Sequence, residues 1–318
     1  MTMPHPDAGP DGAGDFPSVT VVIPAYNEEE SIGVVVRRVV ALGLAGEIVV
    51  VDDGSTDATA VQAAAAGARV LRHERNMGNG ASVKDGCLAA TREWIVLLDA
   101  DGQHPPEEIP KLMRHCDRCD MVIGTRTKES NVSRFRSFGN WGLRRFAEFL
   151  LQEEIPDLTS GFRAIRRERL LTFLHLFPRH YSYPTTITMA FVKAGLKVHY
   201  EALPAIQGRK SGRSRVRPLR DGFRFLNIMM RMTMLFNPQR IFVPVGLGLV
   251  GSGCLFAIYQ IVTRGGVLGA SLVLFLSGVF TFMFGLLADQ VSAIRLEMTD
   301  LGRPGILSDE SKKRNGER

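Results

Sequence analysis

Cysteine is scarce in this sequence. Cys87, Cys116, Cys119 and Cys254 are too few and too unevenly spaced for a disulfide framework, which points to a reducing compartment. Cys116-x-x-Cys119 has no second ligand pair at zinc spacing, so metal or redox work is not expected of it. Residues 1–18 lack the apolar core of a signal peptide and are rich in Pro, Gly and Asp, and so read as a disordered tail. No Gly-Lys-Ser/Thr follows Gly78-Asn79-Gly80, which excludes a Walker loop and leaves a turn, with Lys84 as a candidate phosphate contact. Internal repeats are lacking as well.

What is present is an apolar fraction of 45% over 318 residues, enough for a large packed domain with additions. Lys and Arg number 39 against 33 Asp and Glu, a net charge of +6, and much of the excess lies between Arg209 and Arg231. Clustered positive charge implies an anionic partner such as a phosphate, a nucleic acid or a lipid surface.

From Val19 onward, short β-branched runs alternate with helical patterns. Val19–Ile23, Glu47–Val51, Ala68–Leu71, Trp94–Leu98 and Asp120–Ile123 read as strands. Between the first two, Asn27 is placed to cap a helix with Glu28, Glu29 and Glu30 in its first turn and Ile32, Val35, Val36 and Val39 on one face. This is a βαβ rhythm, which predicts an α/β fold: a mostly parallel sheet with helices on both faces. Ligands of such sheets bind outside the carboxyl ends of the strands. Three polar clusters fall there: Pro24-Ala25-Tyr26-Asn27-Glu28, Asp52-Asp53-Gly54-Ser55 and Asp99-Ala100-Asp101-Gly102-Gln103.

Asp99 and Asp101 follow an apolar run. In an extended segment residues i and i+2 point the same way, so both carboxylates can face one ion. Mg²⁺ and Mn²⁺ prefer such hard oxygen ligands, and Gln103 could add a carbonyl oxygen. Asp101-Gly102 is also ordinary turn chemistry. Asp53, with Pro24, Tyr26 and Glu28 as walls, suits a nucleotide's base or ribose, while helix capping by Asp53 or Ser55 is the plainer alternative. His104 could approach the metal or serve as a hydrogen-bonded loop histidine.

Near the C-terminus, Ile241–Val262 and Val267–Leu287 each supply about the twenty apolar residues that span a bilayer, with no charge inside. They read as a transmembrane hairpin spanning 241–288. Arg224, Arg231 and Arg240 flank it on one side and Arg295, Arg303, Lys312, Lys313 and Arg314 on the other, so both flanks are expected in the cytoplasm. Pro218–Phe236, just before, mixes Phe223, Leu226, Met230 and Met234 with Arg220, Arg224 and Arg231 and reads as an amphipathic interfacial helix, or else an internal packing helix.

Together with Asp157-Leu158-Thr159-Ser160-Gly161-Phe162-Arg163 and Asp99 through Pro106, these clusters make the chain resemble a family 2 glycosyltransferase of the GT-A fold. Within that family it is similar to the polyprenyl-phosphate (dolichol-phosphate) hexosyltransferases, and its two-span tail to the bacterial branch. The resemblance covers about Val19 to Leu287. It implies a GT-A catalytic domain over 19–217, a juxtamembrane helix over 218–240, two spans over 241–288 and a basic cytoplasmic tail over 289–318.

The implied reaction is inverting transfer of a hexose from a GDP- or UDP-sugar to polyprenyl phosphate at the cytoplasmic membrane face. By matching position, Asp99, Asp101 and Gln103 would hold Mg²⁺ or Mn²⁺, and Pro24, Tyr26, Glu28 and Asp53, with Lys84, would bind the nucleotide sugar. Asp99, Asp101, Arg126 and Arg163 would be catalytic. Arg126, Arg136, Arg163, Arg209, Ser214 and Arg215 would meet the acceptor phosphate, although Arg215 stands where the family commonly has lysine, which changes a point charge to a planar fork. Relatives also suggest a homotetramer.

The chemistry needs charge stabilised on the leaving phosphate, which a metal and arginines provide. A lipid phosphate arrives ionised, so no general base is required and Asp157 reads as a positioning group. A processive polysaccharide synthase is the nearest competitor, but Gln-x-x-Arg-Trp is missing, as are further spans. Transfer to another lipid or glycan acceptor, a non-catalytic membrane adaptor on the same fold and a nucleic-acid binder complete the alternatives. Nucleic acid is not expected, because a membrane hairpin would then be idle.

Overall fold

The computed structural model describes residues 18–126, 134–178, 183–203, 227, 230, 231, 233–264, 266 and 269–301. Seven strands form one sheet: β1 Val19–Ala25, β2 Ala45–Asp52, β3 Arg69–Arg72, β4 Trp94–Leu97, β5 Met121–Arg126, β6 Arg163–Arg166 and β7 Val198–Leu203, in the order β3-β2-β1-β4-β6-β5-β7. The five expected strands are all present, and two more join them. β1 pairs in parallel with β2 and β4, β2 with β3, and β5 with β7. β6 runs antiparallel to both β4 and β5. The sheet is therefore mostly parallel, with one reversed strand inside it.

The β-branched runs explain why both faces are covered. Side chains alternate along a strand, so Val49 and Val51 join an apolar layer with Val83, Cys87, Phe173 and Phe191, while Ile48 and Val50 join another with Ile32, Val35, Val36 and Leu112. The first layer is roofed by α3 (Asn79–Ala89), α6 (Arg167–Phe173) and α7 (Tyr183–Lys193). The second lies under α1 (Ile32–Ala41), with α2 (Thr59–Ala65) beside it, and α4 (Ile109–Met113). Burial pushes the Cys116 thiol up to about 12 and raises that of Cys87 as well, so both are packing groups.

The entry to α1 differs from expectation. The helix begins at Ile32, with Ser31 before it and no acidic residue in its first turn. Asn27 instead has φ of 54°, in the left-handed region, and its Oδ1 accepts the Thr56 amide at 3.0 Å while its own amide donates to Ser55 Oγ at 2.9 Å. Asn27 ties the β1 loop to the β2 loop rather than capping a helix.

α5 (Arg134–Leu151) precedes β6, and two long apolar helices follow β7: α8 (Gln239–Arg264) and α9 (Gly269–Leu301). Gln239–Thr263 and Gly269–Ile294 are each long and apolar enough to cross a membrane, and only 11% and 17% of their most apolar windows is buried. That exposure is unlike the core helix of a soluble domain, which is mostly buried. The second apolar stretch runs past the expected end at Leu287 because Val291 and Ile294 continue it beyond Asp289. Glycines bring the two helices into backbone contact: a Cβ on Gly278 would lie 2.6 Å from Val250 N and 2.7 Å from Gly246 O, and one on Gly253 2.7 Å from Phe275 N. Gln239 Nε2 donates to Asp289 Oδ2 at 2.8 Å at the base of the hairpin, and Ser271 Oγ to Gln260 Oε1 at 3.0 Å at its tip. The base docks on the sheet domain through Leu235 and Phe236, which are buried in its core, and through Asn237 Nδ2, which donates to Leu150 O at 3.2 Å.

Candidate active site

The reversed strand builds the site. Because β6 is antiparallel to β4, Leu97 at the end of β4 stands opposite Arg163 at the start of β6, and Ile123 of β5 does the same from the other side. The Asp157–Phe162 segment is thereby delivered to the carboxyl ends of β4 and β5. β4 stops at Leu97, so Asp99 and Asp101 lie beyond the strand rather than on it, and Ala100–Asp101 form a turn. The simple two-residue alternation of a strand therefore does not orient them. Asp101 Oδ1 accepts the Gln103 amide at 3.1 Å, and Gly102 supplies the φ of 68° that the turn needs.

Asp99 is set by its floor. A Cβ on Gly161 would come within 2.9 Å of Asp99 Oδ2, so only glycine leaves that carboxylate its place. The floor is itself fixed. Asp157 Oδ1 accepts from Thr159 N at 2.8 Å, Thr159 Oγ1 at 3.0 Å and Ser160 N at 3.1 Å, which gives Asp157 the positioning role expected of it. Ser160 Oγ donates to Gly124 O at 2.6 Å, and Thr185 Oγ1 to Leu158 O at 3.3 Å. His104 is buried and stacks on Phe162, with ring centroids 5.2 Å apart.

Arg163, expected to face phosphates, is instead fully buried. Its Nη1 donates to Pro184 O and Thr188 Oγ1, both at 3.1 Å, and its Nη2 to Ser160 O. Burial lowers its pKa, against the opposing fields of Tyr183, Asp157, Tyr200 and Asp99. Arg163 is thus a buried cation beneath the floor, and the hydrogen bonds keep it there; several kcal/mol, on the order of the desolvation cost of an ion, must be offset this way. Tyr183, buried beside it, has its hydroxyl pushed up by burial and by Asp99.

Across the site, Pro24 and Glu28 are half-buried and Tyr26 is exposed. Glu28 Oε2 accepts from Ser31 Oγ at 2.9 Å, and its backbone amide donates to Thr59 Oγ1 at 2.8 Å. Asp53 is buried, and its carboxylate accepts the amides of Met77 and Gly78, each at 2.8 Å, with His73 Nδ1 at 2.7 Å. His73 Nε2 reaches Asp85 Oδ2 at 3.1 Å. Asp53 therefore shapes the loop before α3, where Gly78 has φ of 98°, and helix capping is not its role. Lys84 is half-buried on α3. His73 and Tyr183 are not singled out by the sequence, and Gly161 stands there within the Asp-x-Thr-Ser-Gly motif without its role against Asp99.

Of the expected phosphate contacts, Arg126 ends β5 opposite Leu203 of β7, while its side chain lies outside the described residues. The side chain of Arg136 on α5, and all of Arg209, Ser214 and Arg215, also lie outside them. The carboxylates of Asp99 and Asp101 and the carboxamide of Gln103 are hard oxygen donors of the kind Mg²⁺ or Mn²⁺ takes, and a Cβ at position 161 would crowd the first of them.

Residues 20–172 match the model of glycosyl transferase family 2, and residues 237–294 match that of the GtrB C-terminal hairpin. An undecaprenyl-phosphate 4-deoxy-4-formamido-L-arabinose transferase of Pseudomonas fluorescens is 31% identical over 258 residues, 77% of this chain and 74% of that one. Its counterpart in Pectobacterium atrosepticum is 30% identical over 79% of this chain and 77% of its own. Among solved structures, glucosyl-3-phosphoglycerate synthase of Mycobacterium tuberculosis in complex with Mn²⁺ and uridine-diphosphate-glucose is similar at 26% identity and a TM-score of 0.52, over 70% of this chain and 79% of that one.

Proposed function

Since the chain belongs to glycosyl transferase family 2, we propose that it transfers a hexose from a nucleoside-diphosphate sugar to polyprenyl phosphate, with inversion, at the cytoplasmic face of the membrane. The observation that carries this reading is the placement of Asp99 on the Gly161 floor at a sheet edge whose chain continues into a membrane hairpin. A relative named as an undecaprenyl-phosphate sugar transferase aligns over 79% of this chain, and residues 237–294 match the GtrB C-terminal hairpin, which supports the reading.

Pro24, Tyr26, Glu28 and Asp53 hold the nucleoside, Asp53 by shaping the Met77–Gly78 loop. Lys84 stands toward the donor's phosphates. Asp99 and Asp101, with Gln103, hold Mg²⁺ or Mn²⁺. When bound, the metal supplies positive charge against the departing nucleoside diphosphate. Arg163 keeps the floor in register beneath Asp99. Arg126, at the end of β5, and Arg136, Arg209, Ser214 and Arg215 receive the acceptor phosphate, which attacks the anomeric carbon as an ionised oxygen and needs no base. The catalytic domain of 19–217 is thus held at the bilayer by the spans within 241–288.

The test is incubation of purified protein with polyprenyl phosphate, Mg²⁺ or Mn²⁺ and, separately, labelled GDP-mannose, UDP-glucose and UDP-N-acetylglucosamine. One donor is expected to give a lipid-linked sugar, and Asp99→Ala to reduce its formation at least ~100-fold. Formation of no lipid-linked sugar from any donor, or full activity of Asp99→Ala, would overturn the reading.

A further inference from the structure

His115, in the connection between α4 and β5, meets His199 and Glu201 of β7 on the sheet's edge. His115 Nε2 lies 3.2 Å and His199 Nε2 3.4 Å from the same oxygen, Glu201 Oε2, and all three ligand atoms fall within 4.8 Å of one another. The two rings sit 4.1 Å apart. His199 and Glu201 are two residues apart on a strand, opposite Val122 and Gly124, so their side chains emerge on one face. The Glu201 backbone is fixed by Thr125 Oγ1, which donates to its carbonyl at 3.1 Å.

These distances are long for charge-assisted hydrogen bonds, which run ~2.7–2.9 Å. Both distances match the edge of a tetrahedron: ligands held ~2.0–2.1 Å from one ion stand ~3.3 Å apart. We infer that His115, His199 and Glu201 form a second metal site, for Zn²⁺ or a transition metal of its class, with the fourth position open to water. Two imidazoles and one carboxylate favour such ions over Mg²⁺ and Mn²⁺, which the oxygen set at Asp99 and Asp101 suits. All three residues are half-buried, with side-chain exposures of 34%, 38% and 26%, so an ion can enter and keep a water. The site does not depend on the proposed transfer reaction. Its consequence is a clip: the metal fastens the α4–β5 connection to β7, an edge strand of the sheet, whose end at Leu203 leads directly into the basic segment.

The experiment uses the full chain in detergent, stripped with chelator and titrated with Zn²⁺ and, separately, Co²⁺. The wild type and Asp99→Ala are expected to bind one equivalent of Zn²⁺ with the visible absorption of four-coordinate Co²⁺ and a raised melting temperature. His199→Ala and His115→Gln are expected to weaken binding at least ~10-fold and to lose the absorption band. His115→Gln changes a connection rather than the sheet, and circular dichroism of each metal-free variant checks its folding. Equal Zn²⁺ affinity in wild type and His115→Gln, or loss of the Co²⁺ band in Asp99→Ala, would overturn the assignment.

Discussion

Gly161 stands against Asp99 so closely that a methyl group on it would lie 2.9 Å from Oδ2 and 3.3 Å from Oδ1. Its backbone is not left-handed, so alanine is tolerated by the chain and resisted only by the carboxylate. Gly161→Ala is therefore expected to fold normally while losing about 100-fold in sugar transfer, the usual consequence of displacing a reacting group by about 1 Å. The check is kcat/KM beside an unchanged melting curve; retained activity would mean that Asp99 has room to move.

Asp53 accepts two backbone amides and meets His73. Asp53→Asn puts an amide group where donors converge, and is expected to cost about 1–3 kcal/mol of stability and to raise the donor KM more than it lowers kcat. Thermal melting and steady-state kinetics with varied nucleotide sugar measure both. An unchanged KM would separate Asp53 from donor binding.

Glu47 is opposed by burial but accepts from Thr20 Oγ1, from the amide and hydroxyl of Thr91 and from Arg69, which together hold its carboxyl below the usual range. A depressed folded value contributes stability above the unfolded value and loses it as pH falls through the folded one. Glu47→Gln should thus melt lower than wild type at neutral pH, with the gap closing as acid protonates the wild-type carboxyl. A gap independent of pH would contradict the assignment.

In the hairpin, Gly278→Leu would drive a side chain into Val250 N and Gly246 O, whereas Gly248 has nothing within 4 Å of a Cβ. Gly278→Leu is expected to lower the melting temperature in detergent by several degrees and Gly248→Leu to leave it near wild type. Equal effects would show that the close approach of the helices carries no stability.

How far this was readable from the sequence depends on the element. Val19–Ile23 announced itself as a β-branched run and Trp94–Leu98 as an unbroken apolar one, and the polar clusters after them marked the carboxyl edge of the sheet. β6 was hidden because Arg163-Ala164-Ile165-Arg166 ends in arginines at both sides, and nothing local says that the first of these is buried; its partners Pro184, Ser160 and Thr188 come from the fold. β7 was hidden likewise, since Val198-His199-Tyr200-Glu201 carries the polar residues of an edge strand. Asn27 was misplaced because a capping residue and a left-handed turn residue share one chemistry.

The reversed strand also sets an order of assembly. β4 pairs with β1 and β6, and β5 with β6 and β7, so among the described residues β6 is the strand that links the front of the sheet to its rear edge. A chain emerging from the ribosome completes β1 through β5 before that link exists. The β1–β4 part of the sheet can therefore pair early, whereas β5, though it packs on α4, gains its strand partners only once β6 and β7 are made. A half-made chain thus lacks the Gly161 floor on which the Asp99 carboxylate rests.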